Sequence, residues 1–139
     1  VTDIKVVVAV DIHPTEDVDK VKQAVENFFP HASLETKPRG TTSLLVAMTE
    51  GKNGLTHLRA RLRQERIVHA ARRIFRRGLQ RHSFTFYLNK QVAYANRTSF
   101  CEPHGESPLG SIKVVVACND PRDVIAWLTA ESAMTGLPP

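Results

Sequence analysis

Between Arg59 and Arg81 the chain reads RARLRQERIVHAARRIFRRGLQR, and the apolar residues in and just before this stretch do not fit one helix. At about 100° per residue, Leu55, Leu58 and Leu62 share a face, whereas Ile67, Ala71, Ile74 and Phe75 cluster roughly 180° away on the same wheel. A straight helix cannot bury both. The pattern therefore predicts two helices, over about 54–64 and 66–77, with a bend at Gln64-Glu65-Arg66 and a cap at Gly78. The stretch also holds nine of the twelve arginines and one acid, Glu65, for a formal charge of +8. The whole chain carries +5, which leaves −3 for everything else.

Such concentration limits what the surface can do. Guanidinium groups meet phosphate and carboxylate oxygens with a planar fork of donors. A clustered basic face is the footprint of a polyanion-binding surface, while a merely solvated face is the plainer alternative. On the second helix His69, Arg72, Arg73, Arg76 and Arg77 lie opposite the apolar stripe. On the first, Arg59, Arg63 and Arg66 form an i, i+4, i+7 row beside the leucines, and Arg81 follows Gly78. The bend would decide whether the two rows approach each other.

The remaining chain reads as scaffold. Asp3 to Ile12 (DIKVVVAVDI) is a β-branched run expected to be a central strand buried on both faces. Thr15 is placed to cap a helix whose first turn carries Glu16, Asp17 and Asp19 and whose stripe is Val18, Val21, Val25 and Phe28, ended by Pro30. Ala32–Thr36 and Ser43–Glu50 read as strands around the loop Lys37–Gly40. The loop Gly51-Lys52-Asn53-Gly54 lacks Walker A spacing, although glycine-rich turns before a helix can hold an anion. Ser83–Lys90 alternates, and Val92–Thr98 is expected as its hairpin partner across Asn89-Lys90-Gln91. Ile112–Cys118 is a second core strand, and Asp120 with Pro121 opens the last helix. This order of strands and helices predicts one α+β domain over residues 1–139, with an antiparallel or mixed sheet and helices packed on one face.

Composition agrees with that reading. With 42% hydrophobic and 24% charged residues, 139 residues suffice for one ordinary core. The longest apolar run, Val6 to Val10, is too short for a bilayer, and no charged region followed by an apolar one opens the chain. The expectation is a cytoplasmic protein with no membrane partner. Cys101 and Cys118 form no CxxC and read as inert thiols.

No constellation of catalytic type emerges. The six histidines show no metal-ligand spacing, Cys101 with His104 lacks a third member, and Glu102 with Glu106 shares a polar loop. The reading is accordingly no enzyme, no catalytic residue, no metal and no cofactor. Phe84 and Phe86 alternate as core residues, while Tyr87 and Tyr94 fall on the other face of the expected hairpin, as a base-stacking platform would.

The segments LRQERIVHAARRIF, FTFYLNKQVAYANRTSF and ESPLGSIKV, with PTED at Pro14–Asp17, resemble a family of small archaeal proteins described as RNA-binding or exosome-associated. Ser111 stands where that resemblance would place a proline. The resemblance covers nearly the whole chain and implies an α+β fold similar to ribosomal protein "L-five". It offers no catalytic residues. It points to Arg66, Arg72, Arg73, Asn89, Lys90 and Gln91 as the surface that contacts RNA, and the charge argument adds Arg59, Arg63, Arg76, Arg77 and Arg81. The leading expectation is a non-catalytic RNA-binding module, with Tyr87 or Tyr94 touching exposed bases. A subunit that docks an acidic partner in an RNA-processing complex is the alternative, as is a binder of a phosphorylated small ligand near Gly51–Gly54. A homodimer is compatible with each.

Overall fold

A computed structural model describes residues 4–101 and 110–130. Five strands form one antiparallel sheet: β1 (Lys5–Ile12), β2 (Ser33–Arg39), β3 (Thr42–Glu50), β4 (Ser83–Asn89) and β5 (Ser111–Ala117), in the order β2-β3-β1-β5-β4. The helices are α1 (Val18–Glu26), α2 (Thr56–Gln64), α3 (Val68–Arg77), the short α4 (Lys90–Tyr94) and α5 (Pro121–Leu128).

Strand alternation puts one face inside. Val6, Val8, Val10 and Ile12 of β1, Leu45 and Ala47 of β3, Phe84, Phe86 and Leu88 of β4, and Ile112, Val114 and Val116 of β5 are all buried. The apolar sides of α1, α2, α3 and α5 join these in one core through Val21, Val25, Leu58, Leu62, Ala71, Phe75, Val124 and Leu128. Fully burying one such aliphatic or aromatic side chain stabilises the fold by about 1.5–3 kcal/mol. Phe75 of α3 fixes that helix to the sheet, with its ring centroid 5.2 Å from Phe84 and 4.6 Å from Phe86. Gly78 then permits a close approach: a Cβ there would sit 2.0 Å from the Thr85 carbonyl oxygen.

Three expectations change here. β1 is central, with a partner on each side, but only one of its faces is covered; Val7 and Ala9 remain half-exposed. Its unbroken apolar run comes from the other face too, which bears Val46, Val115 and the 41%-exposed Met48 in neighbouring strands. At α1 the cap is Asp17, whose carboxylate accepts the Asp19 N–H; Thr15 lies too early in the chain, and Val18 is 39% exposed.

The larger correction concerns Val92–Thr98, which is no hairpin strand. Asn89 accepts the Val92 N–H with its side chain and so starts α4, which buries Ala93. Asn96, at φ 61°, turns the chain back. Only then do Ser99 and Cys101 bond β4, through Asn89 N to Ser99 O and Cys101 N to Tyr87 O. A short polar cap has overridden the alternating pattern.

Candidate nucleic-acid interface

The two helices are separate, and the residue that separates them is one of the predicted RNA-contacting residues. Ile67 N–H donates to Leu62 O and Arg66 N–H to Arg63 O, the paired bonds that close a helix with a left-handed residue. That residue is Arg66, at φ 58°. The reversal lets Leu58 and Leu62 of α2 and Ala71 and Phe75 of α3 reach one core from opposite sides of the wheel.

The nine arginines then divide by what their side chains touch. Arg61 is 8% exposed and belongs to the interior. Its Nη1 donates to Asn96 Oδ1 at 2.9 Å, its Nη2 to Asn96 O at 2.8 Å, and it pairs with Glu65 at 3.1 Å over the Phe28 ring. Glu65 in turn accepts from Thr98 N and Oγ1, so the acid of the basic stretch pins the segment after α4. Arg59 Nε donates to Trp127 O at 2.9 Å and its guanidinium lies 5.2 Å from the Trp127 ring centre. Burial, and then the neighbouring charge of Arg63, lower its pKa. Arg72 donates through Nε to Thr129 Oγ1 and through Nη2 to Thr129 O. Arg59 and Arg72 thus satisfy carbonyls at the C-terminal end of α5, where a helix favours cations.

Arg63, Arg66, Arg73, Arg76 and Arg81 have no carboxylate partner among the described residues, and all but the half-buried Arg63 are exposed. Arg77 is exposed at the end of α3, in a hollow it shares with Ile74, Gly78, Thr85 and Tyr87. Among the described residues, no arginine of this stretch has an ion pair with Glu35 or Glu50; Arg59, Arg61 and Arg72 bond backbone carbonyls, the hydroxyls of Thr98 and Thr129, Asn96 and Glu65. Glu102, Glu106 and His104 lie outside the described residues.

The predicted hairpin tip is dispersed. Lys90 is fully buried, with Nζ 2.6 Å from Asp11 O and 3.1 Å from Glu16 Oε1. Tyr94 donates its hydroxyl to Glu16 Oε2 at 2.5 Å, and His13 N donates to Glu16 Oε1. Burial raises the Glu16 pKa, but the bonds from His13, Tyr94 and Lys90 outweigh it, and the carboxyl lies below its ordinary 4.5. Burial and the bond to Glu16 push the Tyr94 phenol up. Lys90 is therefore closed to RNA and Tyr94 serves an internal bond, contrary to the sequence reading. Asn89 is occupied as the α4 cap, while Gln91 is exposed and Tyr87 half-exposed on the helix-free side of the sheet.

Gly51–Gly54 forms a single 3₁₀ turn rather than an anion cradle. The Gly54 and Leu55 N–H groups donate to the turn's own carbonyls, and Gly54 packs against Thr49. Among the described residues, no group of three or more His, Cys, Asp or Glu is placed to hold a metal. No described helix is long and apolar enough to cross a membrane.

Arg122 of α5 escaped the sequence reading, because a single arginine next to Asp123 on a short helix gives no clustering signal. It lines a cleft of about 500 Å³ between α3 and α5, together with Arg72, Arg76, Leu79, Ile125 and Ala126. A shallower depression continues past Arg122 to Arg81, Gln80 and Asn119. The arginine row on α3 thus extends onto α5.

Comparison with known proteins shows the family and the fold. A family model described as RNA binding matches residues 5–118. A UPF0201 protein of Sulfurisphaera tokodaii is 40% identical over 93% of this chain and 89% of its own length. One from Sulfolobus acidocaldarius is 39% identical over the same shares. The crystal structure of a UPF0201 protein from Methanococcus jannaschii superimposes with a TM-score of 0.81 at 29% identity, covering 90% of this chain and 98% of that one. A DUF54 protein from Methanothermobacter thermautotrophicus, 16% identical with a TM-score of 0.57 over 87% and 90% of the two chains, shares the fold. The chain belongs to the UPF0201 family of small archaeal proteins, the family whose model carries the description RNA binding.

Proposed function

We propose that the protein binds RNA without transforming it, holding phosphates on the exposed arginines of α2, α3 and the turn to β4. The observation that carries this reading is the set Arg63, Arg66, Arg73, Arg76 and Arg81, which face no carboxylate among the described residues. Surface guanidinium groups in such number, none of them paired with a carboxylate among the described residues, attract a polyanion. Tyr87, on the edge strand β4 and lining the same hollow as Arg77, offers a half-exposed ring for a base at the edge of this face. Binding of this kind reads the backbone and is weakly selective for sequence.

The test is fluorescence polarisation with labelled single-stranded RNA across a salt series, comparing wild type with Arg73→Ala/Arg76→Ala/Arg77→Ala/Arg81→Ala. Arg72 stays in place because it holds Thr129. We expect the variant to fold and its log–log salt slope to flatten by about three units, roughly 0.7 for each phosphate no longer held. Equal slopes, or no wild-type binding near 100 mM salt, would turn attention to an acidic protein partner on the same arginines.

A further inference from the structure

We propose that the cleft between α3 and α5 is a discrete site for the phosphomonoester of a nucleotide, carried by an RNA end or by a free mononucleotide. This deepens the RNA-binding reading and rests on it for the RNA end; the cleft shares Arg76 with the open arginine face but adds Arg72, Arg122 and an apolar wall. Arg72 and Arg76 enter from α3 and Arg122 from α5, while Leu79, Ile125 and Ala126 supply an apolar wall. Its volume of about 500 Å³ falls in the range of about 300–1,000 Å³ common to small-molecule sites.

Charge decides which phosphate fits. Among the described residues, three guanidinium groups line the cleft and no carboxylate does. Asp120 lies in the adjoining depression, with Oδ1 occupied in accepting the Asp123 N–H at 3.3 Å. A phosphodiester brings one negative charge, whereas a phosphomonoester at neutral pH brings about 1.5–2 and three acceptor oxygens. The monoester is the better match to three arginines. Arg72 is also held in place before any ligand arrives, since its Nε and Nη2 bond Thr129 at 3.1 and 2.5 Å. Less side-chain freedom then disappears on binding. The apolar wall, with Ile125 only 2% exposed beneath it, suits the ribose or base next to the phosphate.

The experiment compares RNA octamers of one sequence that end in 5′-phosphate, 3′-phosphate or only hydroxyls, with the full chain and at one salt concentration. The variants are Arg122→Ala, which lies outside the proposed backbone-binding set, and Arg63→Ala/Arg66→Ala, which lies outside the cleft. One terminal phosphate is expected to raise affinity about tenfold in wild type, the scale of a charge-assisted hydrogen bond. Arg122→Ala should erase that gain while leaving hydroxyl-ended RNA within about twofold, the effect of one peripheral charge. Arg63→Ala/Arg66→Ala should weaken all three octamers and preserve their ratio. In parallel, amide NMR shifts are followed as AMP or inorganic phosphate is added. Shifts at Leu79, Ile125 and Ala126 that saturate with AMP, and vanish in Arg122→Ala, place the monoester in the cleft even if no RNA binds. A gain with phosphorylated RNA assigns the site to RNA ends, and AMP binding without that gain assigns it to free nucleotides. Neither a terminal-phosphate gain nor AMP-dependent shifts, or a gain that survives Arg122→Ala, overturns the proposal.

Discussion

Lys90 and Glu16 lie 74 residues apart in sequence and meet in the interior with side chains 0% and 5% exposed. Removing one member of such a pair leaves a buried charge uncompensated. Lys90→Met is expected to cost about 3–5 kcal/mol in urea unfolding. Adding Glu16→Gln should restore more than about 1 kcal/mol, since glutamine keeps an oxygen for the His13 N–H, can donate its amide to the Tyr94 hydroxyl, and removes the orphaned charge. A loss below about 1 kcal/mol for Lys90→Met would mean that the pair is solvated. The pH dependence has a definite sign. Because the Glu16 pKa is depressed in the folded state, its contribution is fully present above the ordinary 4.5 and is lost as pH falls through the lower folded value. The stability gap between wild type and Glu16→Gln should therefore narrow in acid unfolding curves as pH falls below the ordinary 4.5. No local signal announces this pair. Glu16 reads as a first-turn acid and Lys90 as a turn lysine, and only the tertiary path brings them together.

At the level of elements, the α2–α3 junction was legible because two apolar faces out of phase cannot belong to one straight helix. The identity of the left-handed residue was not, since arginine carries none of glycine's preference for that conformation. Arg66→Gly is expected to stabilise the fold by about 0.5–1 kcal/mol in urea unfolding by relieving this strain, while removing one guanidinium from the proposed RNA-binding face. Gly78→Ala should act oppositely, losing about 1–3 kcal/mol through collision with the Thr85 carbonyl, with an unchanged denaturant m-value. At α4 two local signals lay close together. Asn89-Lys90-Gln91 resembles a hairpin turn, yet the same asparagine caps a helix once Ala93 and Lys90 find the interior.

Across the whole molecule, a sheet with helices packed on one face was legible from the alternation of β4 and the amphipathic helices, while the choice between antiparallel and mixed pairing was settled only by the strand register. The basic surface followed from charge counting. What counting could not supply was the division of labour: Arg59, Arg61 and Arg72 hold α5 and the segment after α4, while their neighbours face outward. Carbonyl partners leave no trace in a balance of formal charges.

The placement of β1 between β3 and β5 has a consequence for how the chain acquires its structure. Lys5 pairs with Ala117 and Val10 with Ile112, so strands far apart in sequence lie side by side. The hairpin of β2 and β3 can join β1 early, but the sheet stays incomplete until β5 has been made, and the arginine helices have only part of their floor until then. Long-range pairing of this kind slows folding and delays it on the ribosome until β5 has emerged. A fragment ending at Gly110 should accordingly show weak amide protection throughout, including in β1 and β3, and a fragment with native-like protection there would show that the half-sheet folds alone.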